Sequence, residues 1–142
     1  MQYNGGYLIG QINKLTNRRV NELLKQENVS EFNGAQGTIL YVLMDRRSMT
    51  ISEICKATGL AKTSLTSMLE RMEKQGLIIR KEDEADRRRT QVSLSEKSLN
   101  YSEIIKNVST TISQEFYKGM SRSEIDYFED TLNRILHNIE KE

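Results

Sequence analysis

The sequence predicts a mainly α-helical protein with one small β-hairpin. Its 142 residues include no proline, the commonest helix breaker, and apolar residues recur at helical spacing. Two stretches, Thr50–Glu53 and Ser121–Glu124, match the capping box that begins many helices. Residues Thr90–Leu94 alternate polar and apolar side chains, as a half-buried strand does. The length is that of one ordinary domain, so we expect residues 1–142 to form a single domain.

Two helices are predicted before Thr50. The first runs from Tyr3 to Gln26 and is amphipathic, with apolar residues on one side. The second runs from Gly34 to Arg46 and is apolar on more than one side. We therefore expect the second helix to be buried.

A pair of short helices follows, joined by a tight turn. The first begins at Thr50 and ends at Gly59, a residue suited to the left-handed conformation that closes helices. The second spans Ala61–Gln75 and ends at Gly76. It carries an inward apolar stripe formed by Leu65, Met68, Leu69 and Met72.

A hairpin and two further helices complete the chain. The strands are Leu77–Lys81 and Thr90–Leu94, and a polar tip separates them. One long helix is predicted over Ser95–Gly119, and a final helix begins at Ser121. The final helix repeats apolar residues at steps of three and four, namely Ile125, Phe128, Leu132, Ile135 and Ile139. The partner of this seam is either a second copy of the chain or the first helix.

Charge and composition narrow the function classes. The net charge is only +1, but residues 96–142 hold six basic and nine acidic residues, whereas residues 50–95 hold nine basic and seven acidic. This distribution permits a basic footprint on one face. The chain has one cysteine, Cys55, one histidine, His137, and no glycine-rich phosphate loop. We therefore expect neither an enzyme nor a metal or cofactor site.

Two helices followed by a hairpin are the order of elements in a winged helix-turn-helix, which places its second helix in the DNA major groove. The start of an exposed helix reads DNA through cations and short polar side chains. The helix that begins near Ala61 offers such side chains at Lys62, Thr63, Ser64, Thr66 and Ser67. The alternative is that these hydroxyl groups only cap and solvate a surface helix.

The tip of the hairpin carries Arg87, Arg88 and Arg89 in succession. Guanidinium groups at a protruding tip can reach phosphates or a narrow minor groove. Asp86 can brace the turn or pair with Arg88, and we expect the acidic run 82–84 on the outer side of the hairpin. The alternative is a solvated charge run on a module that binds proteins rather than DNA.

Three stretches, residues 51–60, 62–80 and 86–95, resemble the MarR family of bacterial winged-helix regulators. The resemblance covers essentially the whole chain and implies a homodimer on a palindromic operator. It assigns residues 1–27 and 96–142 to dimerisation helices and residues 30–95 to a DNA-binding lobe. It also implies that Arg88 enters the minor groove, that Arg80 lies at the wing base, and that Arg71 lies late in the recognition helix. Ser67 departs from the family, where relatives often carry arginine, so base readout here rests more on hydroxyl groups and DNA shape.

The family resemblance further implies a repressor that a small apolar or phenolic molecule releases from DNA. Candidate residues for a ligand crevice are Tyr7, Ile12, Tyr41 and Phe116, and the alternative is that they are ordinary core residues. A thiol-oxidation branch of the family senses peroxide through a cysteine in the first helix, where this chain has none. We therefore expect Cys55 to be a packed residue and His137 to lie at the surface or an interface.

The sequence shows no signal segment and no apolar run near the roughly 18 residues of a membrane span. We therefore expect a soluble, cytoplasmic protein with no membrane partner. The leading hypothesis is a homodimeric, ligand-responsive transcriptional repressor, and the alternative is a winged-helix protein-interaction module.

Overall fold

The structure, a computed structural model, describes residues 2–140 and confirms the mainly α-helical prediction. In chain order the elements are α1 (Gly5–Gln26), α2 (Gly34–Met44), β1 (Met49–Thr50), α3 (Ile51–Thr58), α4 (Lys62–Lys74), β2 (Ile78–Glu82), β3 (Thr90–Leu94), α5 (Glu96–Leu99), α6 (Ser102–Phe116) and α7 (Arg122–Ile139). No helix within this range combines the length and the apolar character that crossing a bilayer requires.

The predicted hairpin is the larger part of a three-stranded antiparallel sheet with the order β1-β3-β2. Strands β2 and β3 pair from Ile78 opposite Leu94 to Glu82 opposite Thr90. Strand β1 adds to the other edge of β3 and places Met49 opposite Val92. The sequence did not indicate β1, because two residues are too few to show an alternating pattern.

The core lies between helices α2, α3 and α4 and the sheet, and its fully buried apolar side chains are aliphatic or methionine. Helix α2 contributes three fully buried side chains, which confirms the prediction that it is a buried helix. The fully buried apolar residues are Ile39, Leu40, Leu43, Met49, Ile54, Leu65, Leu69, Met72, Leu77 and Val92.

Local signals set the ends of α3 and α4. The Glu53 backbone N–H donates to the Thr50 hydroxyl, and the Thr50 backbone N–H donates to the Glu53 carboxylate, each at 3.1 Å. This is the predicted capping box, and its hydrogen bonds lower the pKa of Glu53. Gly59 and Gly76 follow the two helices at φ values of 75° and 77°, which glycine adopts without a steric penalty.

The prediction of one long helix over Ser95–Gly119 is wrong, because α5 ends at Leu99 and α6 begins at Ser102. The backbone N–H of Tyr101 donates to Ser98 O at 3.0 Å and so forms a tight turn. The Tyr101 ring meets Phe32 edge to face, with ring centroids 5.1 Å apart. Contacts to a distant part of the chain therefore hold the break between α5 and α6.

The chain divides into two compact units between Ser109 and Thr110. In the second unit, the rings of Phe116, Tyr117 and Phe128 pack together, with centroids 4.9 to 6.2 Å apart. Helix α7 begins at the predicted Ser121 capping box and has no buried residue. In its apolar seam, Ile125, Phe128 and Leu132 are half-buried, whereas Ile135 and Ile139 are exposed. The single-domain boundaries remain a prediction.

Candidate nucleic-acid interface

Helix α4 separates a buried face from an exposed one. Leu65, Leu69 and Met72 are fully buried, and they fix the rotation of the helix about its own axis. The predicted DNA-contacting residues all lie off this face, with Thr66 half-buried and the others exposed: Lys62, Thr63, Ser64, Ser67 and Arg71. The rotation of α4 therefore presents the predicted readout side chains to solvent.

The N-terminal end of α4 carries no side-chain cap. Its N-cap residue, Ala61, has an extended backbone and no side-chain oxygen to accept from the first turn. The first backbone N–H groups of a helix lack partners within the helix and form the positive end of its dipole. This end can accept a phosphate directly.

The hydroxyl groups on α4 are not equivalent. Thr66 donates its hydroxyl proton to Lys62 O at 2.8 Å, so its oxygen can offer only lone pairs to a base edge. The hydroxyl groups of Thr63 and Ser67 have no hydrogen-bond partner within residues 2–140. Thr63 and Ser67 can therefore act as donor or acceptor.

The hairpin formed by β2 and β3, residues 78–94, is called the wing. At its tip, Asp86 both braces the turn and pairs with Arg88, as the sequence indicated. One carboxylate oxygen accepts from the Arg88 backbone N–H at 3.0 Å and from Arg88 Nε at 3.1 Å. The other accepts from Arg88 Nη2 at 3.2 Å, and these bonds lower the pKa of Asp86. The Arg88 side chain is 90% exposed. The wing thus holds a solvent-facing guanidinium in a defined position.

The expectation that the whole acidic run 82–84 lies on the outer side of the hairpin is wrong for Asp83. Its side chain is only 13% exposed and lies 3.8 Å from Arg89 Nε. Gln91 Nε2 donates to it at 3.0 Å and the Ala85 backbone N–H at 2.8 Å, and both bonds lower the pKa of Asp83. Asp83 therefore lies on the inner side of the hairpin and joins its two strands through Gln91. Arg87, by contrast, has no acidic partner within residues 2–140.

Arg80, in strand β2, forms an ion pair with helix α4, the predicted recognition helix. Its Nη2 lies 3.0 Å from Glu73 Oε1 on α4, and its side chain is 25% exposed. The hydrogen bond lowers the pKa of Glu73 and raises the pKa of Arg80. The sequence did not indicate the ion pair between Glu73 and Arg80, because the two residues lie on either side of the turn at Gly76 and no periodic pattern connects them. The role of Arg80 as a DNA contact remains a prediction.

The residues predicted to line a ligand crevice are exposed in the single chain. The exposed fraction is 68% for Tyr7, 41% for Ile12, 45% for Tyr41 and 40% for Phe116. The first three belong to the first unit and Phe116 to the second. Cys55 is half-buried and His137 is exposed. The crevice remains a prediction.

The chain was compared with protein families and with solved structures, and both comparisons find similar proteins. Residues 30–89, which include α2, α3, α4 and the wing tip, match the MarR family. The structure is also similar to that of a mutant MarR from E. coli complexed with operator DNA, with 26% identity, 92% of each chain covered and a TM-score of 0.78. Residues 30–89 are thus similar to the MarR family, and the fold is similar to that of the E. coli MarR.

Two curated relatives carry regulatory names. The transcriptional regulator SarZ of Staphylococcus epidermidis is 25% identical over 103 residues, which cover 72% of this chain and 69% of SarZ. The transcriptional repressor IacR of Pseudomonas putida is 26% identical over 102 residues, which cover 72% of this chain and 61% of IacR. Both relatives are named as transcriptional regulators, which agrees with the expectation that this chain is not an enzyme.

Proposed function

We propose that this chain is a member of the MarR family and a sequence-specific, DNA-binding transcriptional regulator. The observation that carries the proposal is the joint exposure of the α4 N-terminal end and the wing guanidinium. Lys62, Thr63 and Ser67 project from an uncapped helix start, and Asp86 holds Arg88 toward solvent at the wing tip. Helix α4 would enter the major groove, and the wing would reach the adjacent minor groove. The operator DNA bound by the E. coli relative supports this arrangement.

We further propose that the chain acts as a homodimer on a palindromic operator. Helix α1 exposes Tyr7, Leu8, Ile9, Ile12 and Leu15, and α7 exposes Ile135, Leu136 and Ile139. Soluble monomers rarely expose so many apolar side chains along one helix, and a second copy would cover them. Two copies would then offer two α4 helices to half-sites about 10 bp apart.

As in the family, a small apolar or phenolic ligand would release the repressor from DNA. The exposed aromatic side chains of Tyr7, Tyr41 and Phe116, together with Ile12, are the candidate contacts. Titration of operator-bound protein with phenolic and aromatic carboxylic acids tests this part. Release from DNA by one such compound, and its loss in a Tyr41→Ala variant that still binds DNA, is the expected result.

Selection of bound duplexes from a random DNA library tests the central proposal. The expected result is an inverted repeat whose half-site centres lie about one helical turn apart. A chain that enriches no sequence and retards no duplex at moderate salt contradicts the proposal. If such a chain bound a protein partner instead, the protein-interaction alternative would be supported.

A further inference from the structure

The recognition helix is held at its C-terminal end by three contacts to one residue, Gln75. The Gln75 backbone carbonyl accepts from Lys97 Nζ at 3.0 Å. Its side-chain Nε2 donates to Glu31 O at 2.7 Å, and its Oε1 accepts from Gln36 Nε2 at 3.3 Å. Gln75 is therefore hydrogen-bonded to the segment that precedes α2, to α2 itself and to α5.

The groups that hold Gln75 are themselves joined. Lys97 forms an ion pair with one Glu31 carboxylate oxygen, and the Tyr101 hydroxyl donates to the other at 2.5 Å. These two partners, Lys97 first, lower the pKa of Glu31. We call the five residues Glu31, Gln36, Gln75, Lys97 and Tyr101 the Gln75 anchor. In the Gln75 anchor, Gln36 is buried, Glu31, Gln75 and Tyr101 are half-buried and Lys97 is exposed, so most of its hydrogen bonds are partly shielded from water.

The other end of α4 has no comparable polar contact, and its first buried side chain is Leu65. The Lys62 and Thr63 side chains have no partner within residues 2–140, and Ala61 provides no side-chain cap. The 13 residues of α4 span about 20 Å. A tilt of about 5° around Gln75 would therefore move the Lys62 end by almost 2 Å, which is enough to break hydrogen bonds to base edges.

Tyr101 connects the Gln75 anchor to α6. Its carbonyl accepts the Ile105 backbone N–H at 2.9 Å, so Tyr101 belongs to the first turn of α6 by hydrogen bonding. A change in the position of this turn reaches Gln75 through the Tyr101 hydroxyl, the Glu31 carboxylate and the Lys97 ammonium. Helix α6 lies within residues 96–142, which the resemblance to the MarR family assigns to dimerisation helices.

We propose that Tyr101 and Lys97 are positioning residues for the recognition helix. The Gln75 anchor fixes the angle of α4 relative to the start of α6, and this angle determines which half-site spacing the dimer accepts. The inference rests on the proposed function, because only a DNA-binding dimer has a half-site spacing. It assigns to Tyr101 a role that stability alone does not explain.

A matched control exists in the second unit. Tyr117 donates its hydroxyl to Glu129 at 2.6 Å, as Tyr101 does to Glu31, and the bonded glutamate raises the pKa of each tyrosine. Replacing either tyrosine by phenylalanine removes one hydroxyl–carboxylate bond and leaves the ring. Only the Tyr101→Phe variant changes the Gln75 anchor.

The test uses the full chain and the palindromic duplex that the wild type selects from a random library, with the half-site spacing changed by one and by two base pairs. We expect the wild type to prefer one spacing. Tyr101→Phe should lower that preference by about three- to tenfold, the effect of one hydrogen bond, and Glu31→Gln should act in the same direction. Tyr117→Phe should keep the wild-type preference, and thermal unfolding checks that each variant is folded.

Two results overturn the inference, and they are distinguishable. If the folded Tyr101→Phe and Glu31→Gln variants keep the wild-type spacing profile, the positioning role is wrong while the proposed function stands. If the wild type binds no duplex, or binds without any spacing preference, the proposed dimeric regulator fails together with the inference.

Discussion

Both oxygens of the Asp86 carboxylate accept hydrogen bonds from the Arg88 guanidinium, at 3.1 and 3.2 Å, and one also accepts from the Arg88 backbone N–H. The bidentate geometry orients a side chain that is otherwise 90% exposed. An arginine that is already oriented loses less conformational entropy when it binds DNA. In the proposed DNA complex, the Arg88 side chain would therefore already be oriented before binding.

Replacing Arg88 by alanine should weaken binding to every DNA sequence, because a wing guanidinium contacts phosphate or the groove floor rather than a specific base edge. The slope of log affinity against log salt should fall in magnitude by about 0.9 per lost phosphate contact, which is about 1.8 for the two wings of the proposed dimer. Titrations at several salt concentrations measure both quantities. Lys118→Ala, a change at an exposed site in the second unit, is the control. An unchanged slope for Arg88→Ala would remove Arg88 from the interface.

Substitutions of Asp86 separate its two roles. Asp86→Asn keeps an oxygen for the Arg88 backbone N–H and removes a negative charge near DNA, so affinity should stay the same or rise. Asp86→Ala removes the brace of the turn as well, so affinity should fall below that of Asp86→Asn although both variants carry the same charge. Parallel binding titrations give the comparison. Equal affinities for the two variants would mean that the turn does not depend on this carboxylate.

The hydroxyl groups of α4 should control which sequence is preferred rather than how salt affects binding. Thr63→Val and Ser67→Ala should each change the preferred base at one position per half-site by about three- to tenfold and leave the salt slope unchanged. Selection from a random library compares the motifs. Thr38→Val removes a hydroxyl bonded within α2, to Gly34 O, and should preserve the wild-type motif. Motifs identical to the wild type in both α4 variants would exclude direct readout by these side chains.

The pair formed by Glu73 and Arg80 should contribute to the pH dependence of stability. The folded-state pKa of Glu73 lies below the ordinary value of 4.5, mainly because Arg80 donates to its carboxylate. The stabilisation is therefore complete above the ordinary pKa and is lost as the pH falls through the lowered one. Thermal unfolding between about pH 5 and about pH 3 should show Glu73→Gln losing less stability than the wild type. Parallel wild-type and variant curves over this range would contradict the assignment.

Self-association should depend on the apolar seam of α7. Ile135→Glu places a charge in the seam and should weaken the dimer by at least about tenfold, because the carboxylate would be buried without a partner. Asn133→Glu adds the same charge two residues earlier, about 200° around the helix, and should have little effect. Sedimentation analysis over a concentration series measures both. A dimer that tolerates Ile135→Glu as well as Asn133→Glu would place the contact elsewhere.

The sequence allowed the helix ends and the hairpin to be predicted because their signals are local. The Thr50 capping box and Gly59 act within a few residues of the boundary that they set. The break between α5 and α6 gave no such signal, since it depends on Tyr101 meeting Glu31, 70 residues away along the chain. The inner position of Asp83 was missed for a related reason, because Gln91 and Arg89 reach it from across the hairpin.

The core contacts of α4 come from Leu65, Leu69 and Met72, and none of the predicted readout side chains is fully buried. Changes at Lys62, Thr63, Ser64, Thr66 and Ser67 therefore leave the packing of the protein intact. Under the proposed function, new operators would be acquired by substitution at these surface positions, one base preference at a time, without passing through unfolded intermediates. The same separation makes the helix a practical scaffold for engineering regulators with altered targets.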